Sequence, residues 1–520
     1  MKTKKTQILL KSILVLGILI LVNFISVRFF TRLDLTKTHI FTLSEASKKL
    51  VGGLDDRVTI KAYFTEDLPS PYNNSRRQVL DILNEYKAYA KGNIQFEFIN
   101  PEGEKAEREA KESGVPAVEV QVVKEDKYEV KRAFLGLVFL YEDRKEVLPV
   151  VQNLGSLEFD ISSAVKRLTT RVKKQIGFTT GHEEPEISSL RNAGQELNKQ
   201  YTLVPVDLSS GSSVVPDDLA ALLVIAPKNK FSDSAKFQID QYIMQGGKAA
   251  FLLNAMDASM GNPGEGRGPF AFPVETGLGD MLERYGVRIN TDVIRDAQCA
   301  PITITQQEGQ FQMQSQVPFP YIPNITDVDK TNPLVKDLQG LVFYFVSSVD
   351  TVHTDGGLTS DFLLRSSKQS GRQSGFFPID PFHRYTKQEL SESSIPLAVS
   401  VHGMFHSFFE GKLPVPQKLI SPETNIIVVG DGDFMKDDFA RNRVNMTFFA
   451  NIVDYLADDA GLITIRSKDT ALLPLDPLGD GTKKTLKYID ILAPPFIVAA
   501  YGIFRWRKRT ALKKAFEAQV

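Results

Sequence analysis

The sequence predicts an α/β protein with a parallel-sheet core, flanked by two membrane-crossing helices. Two apolar runs, Ile8 to Val27 and Tyr488 to Phe504, stand near the ends of the 520 residues. Each is about as long as a helix needs to cross a hydrocarbon core of ~30 Å. Between them, short strand-like segments alternate with amphipathic ones, the order that gives crossover connections and a parallel sheet. Leu219 to Ala226 is apolar throughout, as in strands buried on both faces.

The spans are expected at 8–30 and 488–504, with 505–520 as a basic tail. Arg505, Arg507, Lys508, Arg509, Lys513 and Lys514 follow the second run, against Lys483, Lys484 and Lys487 before it. Lys and Arg gather on the cytoplasmic side, and Lys2, Lys4 and Lys5 precede the first run. Both termini are therefore expected in the cytoplasm and the intervening domains outside it. No small-x-small cleavage pattern follows Val27, so the first run reads as a retained span and not as a signal peptide. Composition is that of globular protein, 42% hydrophobic and 24% charged, with length for roughly two to four domains. The net charge of -1 gives no footprint for a nucleic-acid partner. Cys299 is the lone cysteine, which excludes an intrachain disulfide, a cysteine zinc site and a dithiol pair.

Thr42 and Glu45 have capping-box spacing, which predicts a short helix to about Leu50, stopped at Gly52-Gly53. A first unit is expected over 46–170. Arg57 to Phe64 alternates as a strand, and Ser75 to Ala90 puts Val79, Ile82, Leu83 and Tyr86 on one helical face. Asn93 to Ile99 is a strand ended by Asn100-Pro101-Glu102-Gly103, and Glu104 to Glu112 a charged helix. Val118 to Val123 and Glu129 to Tyr141 are strands joined around Glu125-Asp126-Lys127, and Leu157 to Leu168 is a connecting helix. The order βαβαββ resembles a thioredoxin-like fold, with Pro116 in the position of its proline. Thr65-Glu66-Asp67-Leu68-Pro69-Ser70 stands where a dithiol would be, so that chemistry is missing.

A second unit is expected over 174–465. Its strands are Gln175 to Phe178, Leu203 to Val206, Leu219 to Ala226 and Lys248 to Leu253. Ile187 to Gln200 is a helix, and Ser232 caps another that runs to Gln245. Gly261 to Pro273 is a glycine- and proline-rich loop, followed by a helix from Thr276 to Tyr285. Residues 298–420 are expected as a β-rich insertion with a polar, mobile segment from His353 to Ser374. Asn425 to Val429 returns as a buried strand, followed by Gly430-Asp431-Gly432-Asp433-Phe434 and a helix from Asn445 to Leu456. Residues 466–487 are a linker to the second span.

Several blocks, in order along the chain, resemble the GldG-like auxiliary proteins of bacterial gliding-motility ABC transporters. They are Arg32-Leu33-Asp34-Leu35-Thr36 with Phe41-Thr42-Leu43-Ser44; Thr180-Gly181-His182-Glu183-Glu184-Pro185; and Tyr242 through Lys248. Pro396 to Val399 with Gly403 and Phe405 to Ser407, then Val428 to Phe434 with Asn451 to Leu456, and finally Gly461 to Lys468, complete the set. The resemblance implies a permease and a cytoplasmic ATPase as partners, in a bacterial inner membrane with the main domains periplasmic. The central region also resembles a domain of some intraflagellar-transport proteins, which implies a flavodoxin or glutamine-amidotransferase-like fold. The family often has Gly-His-Gly-Glu at the histidine motif, where this chain has Glu183 in place of the second glycine.

His182, Glu183 and Glu184 follow one strand, and Asp431 and Asp433 another. Open α/β sheets bind ligands at the carboxyl ends of their strands. If those strands are neighbours, the five side chains converge as a ligand-binding cluster suited to a divalent cation or acid-base work. The plainer alternative is a tight turn whose acids cap the next helix, with His182 ordering its own loop. No metal centre or cofactor is expected. His402 and His406 have a spacing that matters only on a helix, whereas Pro396 to Val401 reads as a strand that Gly403 breaks; no Gly-x4-Gly-Lys-Ser/Thr motif is present, and Cys299 is not on a strand-to-helix elbow. The expected function is that of a non-catalytic auxiliary subunit of an ABC transporter. A membrane-tethered metal-dependent hydrolase and a pure scaffold are the competing readings.

Overall fold

The computed structural model describes residues 42–466, except 67, 69–71, 125–126, 152–153, 262–267, 309–310, 355–356, 413–416, 438–441, 459–460, 462 and 464, together with 480–517 and positions Leu14 and Gly17. The chain divides into two units, Met1–Ala471 and Leu472–Val520. The predicted first span lies outside the described residues apart from those two positions, as does 467–479 of the predicted linker.

Within the large unit, α1 (Glu45–Gly52) is capped by Ser44 and not by Thr42. Ser44 holds extended backbone just before the first turn, so its hydroxyl accepts the Ser47 N–H at 3.2 Å. β1 (Val58–Phe64), α2 (Ser75–Tyr89), β2 (Ile94–Ile99) and α3 (Glu104–Glu112) follow the predicted order. Glu129 to Tyr141 is not one strand. It breaks at Phe134, whose N–H donates to Thr65 Oγ1 at 2.9 Å. β3 (Val118–Lys124) and β4 (Lys127–Ala133) therefore pair as a separate hairpin. β5 (Leu135–Tyr141) enters the main sheet antiparallel to β1, and β6 (Arg144–Leu148), absent from the expectation, pairs with β5. The sheet order is β2-β1-β5-β6, with β1 and β2 parallel. Pro116 thus precedes the hairpin and not a strand of this sheet. α1, α2 and α4 (Leu157–Thr169) supply Val51, Val79, Leu83, Tyr86, Ile161 and Val165 to the core on this sheet.

The large sheet starts with β7 (Gln175–Thr180), β8 (Thr202–Asp207), β9 (Leu219–Ile225) and β10 (Ala249–Leu252). A 3-10 turn, Ile187–Leu190, leads into α5 (Arg191–Asn198), in place of one helix over 187–200. The N–H and hydroxyl of Ser189 both bond back to the Glu186 carbonyl, at 2.9 and 2.7 Å, tightening the entry. α6 (Asp233–Met244) carries the predicted Ser232 cap, which accepts the Ala235 N–H at 3.1 Å.

Beyond β10 the chain forms β11 (Met256–Ala258), β12 (Phe270–Pro273), α7 (Gly279–Arg284), β13 (Val287–Ile289), β14 (Asp292–Asp296), β15 (Cys299–Glu308), β16 (Phe311–Ile325), β17 (Asp327–Val328), β18 (Leu341–Val342), β19 (Val349–Thr351), β20 (Thr359–Arg365), β21 (Ser370–Ser374), β22 (Phe377–Pro378), β23 (Pro396–His406) and β24 (Ile420–Val429). The predicted loop Gly261 to Pro273 therefore ends in strand, and α7 is shorter than the predicted helix. The full order of the large sheet is β17-β20-β23-β24-β10-β9-β7-β8. β24 through β8 are parallel neighbours, and β17, β20 and β23 extend the sheet antiparallel. Three strands from within the predicted β-rich insertion, residues 298–420, extend the main sheet. Within the predicted polar segment from His353 to Ser374, β20 pairs with β23 and β21 with β14, so 359–365 and 370–374 are strands. Its apolar residues, Phe362 to Leu364, sit within a polar stretch, and Leu363 and Leu364 are fully buried.

One face of this sheet packs on α5 and α8 (Arg443–Leu456), the other on α6 and α7. At the end of the large unit, Arg466 Nη1 donates to Asn451 Oδ1 at 2.9 Å and pairs with Asp454 Oδ2 at 2.8 Å. Its guanidinium lies 4.7 Å from the Phe159 ring centroid, on α4. Tyr201 donates to the other Asp454 oxygen at 2.6 Å.

The second unit contains α9 (Asp480–Glu517), which begins before the predicted span and continues past it through most of the basic tail. It runs through Pro494 and Pro495 without ending. Its stretch Gly481–Ala511, 31 residues, is the one helix among the described residues long and apolar enough to cross a membrane.

Candidate functional site

β7 and β24 are not neighbours, because β9 and β10 lie between them. Three strand spacings separate the two predicted groups, about 14 Å across the sheet. His182, Glu183 and Glu184 therefore form one cluster, and Asp431 and Asp433 another.

The first cluster closes the ends of β7 and β9. The His182 carbonyl accepts the N–H groups of Lys228 and Asn229, at 2.9 and 3.0 Å. Its N–H donates to Glu184 Oε2 at 2.6 Å. The imidazole, 5% exposed as a residue, stacks on Phe231 with centroids 3.7 Å apart and planes 10° from parallel. His182 Nδ1 and Glu184 Oε1 stand 3.7 Å apart, beyond hydrogen-bond reach, and both atoms are buried without a hydrogen-bond partner. Glu183 is exposed, with φ at +58°. That is the left-handed region where glycine is at ease and other residues are strained. Backbone conformation, and not ligand approach, is thus a sufficient reason for a glycine here.

The second cluster brackets two segments of backbone together. Asp431 is fully buried; its Oδ2 accepts the Tyr344 N–H at 2.7 Å and its Oδ1 the Asp433 N–H at 2.6 Å. Burial first, and then the charge of Asp433, pushes Asp431 up from 3.8 to about 7. Asp433 pairs with Lys436 at 2.5 Å. Gly430 lies so close to the neighbouring segment that a Cβ there would stand 2.0 Å from the Ser347 carbonyl oxygen. Neither acid caps α8; Asn442 does, accepting the Val444 N–H at 2.9 Å.

Among the described residues, no group of three His, Cys, Asp or Glu side chains is placed to hold a metal ion. His402 and His406 both lie on β23, and His406 faces Glu410 at 3.7 Å. Cys299 opens β15, and burial pushes its thiol up, away from the reactive thiolate.

Between the two clusters, past β10, the same sheet edge holds a cleft of about 260 Å³. Lys230, Asn254, Glu275 and Thr291 line it, above the apolar Leu253 and Leu282. Asn254 Oδ1 accepts the Gly432 N–H at 2.7 Å, which ties the cleft to the Asp431 turn. These residues form no sequence motif. Their only signal is position, in loops that follow or face the ends of β9 and β10.

Comparison with known proteins gives the affiliation. The chain is 23% identical over 524 residues to an uncharacterized protein of Borreliella burgdorferi, spanning 98% of this chain and 100% of that one. The solved mmIFT52 N-terminal domain aligns with 54% of this chain and 97% of its own, at 12% identity and a TM-score of 0.32. The exo-beta-1,4-mannosidase Op5Man5 from an Opitutaceae bacterium covers 56% of this chain and 38% of its own, at 7% identity and a TM-score of 0.23. Both overlaps are too loose to bear on fold or function. Residues 37–140 match a domain of unknown function. Residues 173–458, more than half of the chain and the whole stretch from β7 to the end of α8, match the profile of an ABC-type uncharacterized transport system, so the chain belongs to that family of ABC transport auxiliary proteins.

Proposed function

We propose that this protein is a non-catalytic auxiliary subunit of an ABC transport system, anchored in the bacterial inner membrane by both ends. The family match over 173–458 carries this reading. Membership implies association with transporter components, and a multi-span permease with a cytoplasmic ATPase is the partner pair of such a system. The apolar stretch in α9, followed by Arg505, Arg507, Lys508 and Arg509, favours a span with its carboxyl end in the cytoplasm. The apolar run Ile8 to Val27 favours a second anchor, with the sheet domains in the periplasm. The GldG-like resemblance supports gliding motility or export as the transport task.

The order β2-β1-β5-β6 favours a thioredoxin-like first domain over 46–170, and the parallel β24-β10-β9-β7-β8 a flavodoxin-like second domain over 174–465. His182, Glu183, Glu184, Asp431 and Asp433 act as loop brackets in this reading. Affinity capture of the full-length protein from native membranes in mild detergent, with mass spectrometry, tests the subunit role. Recovery of a permease and a P-loop ATPase near stoichiometry is expected; recovery of neither overturns it.

A further inference from the structure

The cleft beyond β10 has an uneven set of unspent groups. Lys230 makes no hydrogen bond or ion pair with any described residue, and the same holds for Glu275. The two line one cavity, yet no ion pair joins them within 4 Å. Asn254 spends its Oδ1 on Gly432, which leaves its Nδ2 hydrogens as donors. The Lys230 stem lies along the loop opposite. A Cβ on Gly277, whose φ is +72°, would stand 3.1 Å from Lys230 Cγ. Glycine at 277 thus leaves room for the lysine stem beside it.

One cation, one anion and one amide donor therefore surround a small space with an apolar wall, at the edge where open α/β sheets hold ligands. A simple anion would meet the Glu275 carboxylate, and a simple cation the Lys230 ammonium. A molecule bearing both charges satisfies each. The cleft, about 260 Å³, is smaller than the pockets that hold drug-sized ligands, which suits a ligand of amino-acid or dipeptide size. We propose that this cleft binds a small zwitterion of the amino-acid class. Its carboxylate lies on Lys230 and Asn254 Nδ2, and its ammonium on Glu275.

Calorimetry on the full-length protein in detergent, with L-alanine and L-alanyl-L-alanine as probes and acetate, methylammonium and glucose as controls, tests this. Saturable binding of at least one zwitterion is expected, with the controls weaker by 10-fold or more. Lys230→Ala and Glu275→Gln each weaken it at least 10-fold. Both residues are exposed, and an unchanged melting temperature shows that the variants fold. No binding of either zwitterion, equal binding of acetate, or unchanged binding by both variants overturns the proposal. Permease capture by Lys230→Ala is expected to match the wild type, so failure of the cleft and failure of the subunit reading are read separately.

Discussion

The loop after β7 and the turn after β24 occupy the same edge of one sheet and both carry ligand-type residues, yet their hydrogen bonding differs. Asp431 spends both oxygens on backbone N–H groups from two different segments. In the His182 loop the backbone does the joining, through the bonds from Lys228 and Asn229, while His182 Nδ1 and Glu184 Oε1 are left orphaned. A buried carboxylate with both oxygens engaged is a fastener. A buried ring held by stacking, with an idle nitrogen, is a packing element that happens to be polar. Residue type alone does not separate the two; the destination of each polar atom does.

That contrast can be broken at its strongest point first. Gly430→Ala drives a methyl into the Ser347 carbonyl and is expected to cost about 4 kcal/mol or more, read as urea-unfolding midpoint or as loss of soluble expression. A cost below 1 kcal/mol would mean that the turn is not bolted down. Next is pH. The folded value of Asp431 lies above its ordinary one, so its contribution to stability is full below about pH 4 and is lost as pH rises through about 7. The loss is on the order of 2–4 kcal/mol, and Asp431→Asn flattens that part of the urea-midpoint profile. An identical profile in the variant would place the titration elsewhere.

The His182 loop answers with smaller changes. Glu183→Gly relieves the left-handed backbone and is expected to stabilise by about 0.5–1 kcal/mol, seen as a raised melting temperature. Destabilisation would mean that the Glu183 side chain has a role of its own. His182→Phe keeps the stack on Phe231 and deletes the orphaned nitrogen, so a change within about 1 kcal/mol is expected. A loss well beyond that in thermal unfolding would give the His182–Glu184 contact real weight and erase the contrast.

Much of the architecture was legible in the sequence because it is written in local signals. The all-apolar β9, the Ser232 cap and the alternation of strand and helix through β10 depend on near neighbours. Other features depend on partners far along the chain. The break at Phe134 follows from Thr65, and the recruitment of β20 into the main sheet from β23, neither of which leaves a periodic trace. The candidate residues could be named from motif and strand-end position, but their convergence depended on strand order, and two intervening strands undo it. Lys230, Asn254 and Glu275 were illegible because a cleft is made by loops meeting in space, with no spacing rule to betray it.

Arg466 stands in the large unit just before the stretch that leads along the chain to α9. A force applied at Arg466 would not stay at this side chain. The load does not fall on one helix, because the same guanidinium holds Asn451 and Asp454 of α8 and rests on Phe159 of α4. A displacement of Arg466 would therefore be felt by both sheet-bearing regions at once, and neither could release this residue alone.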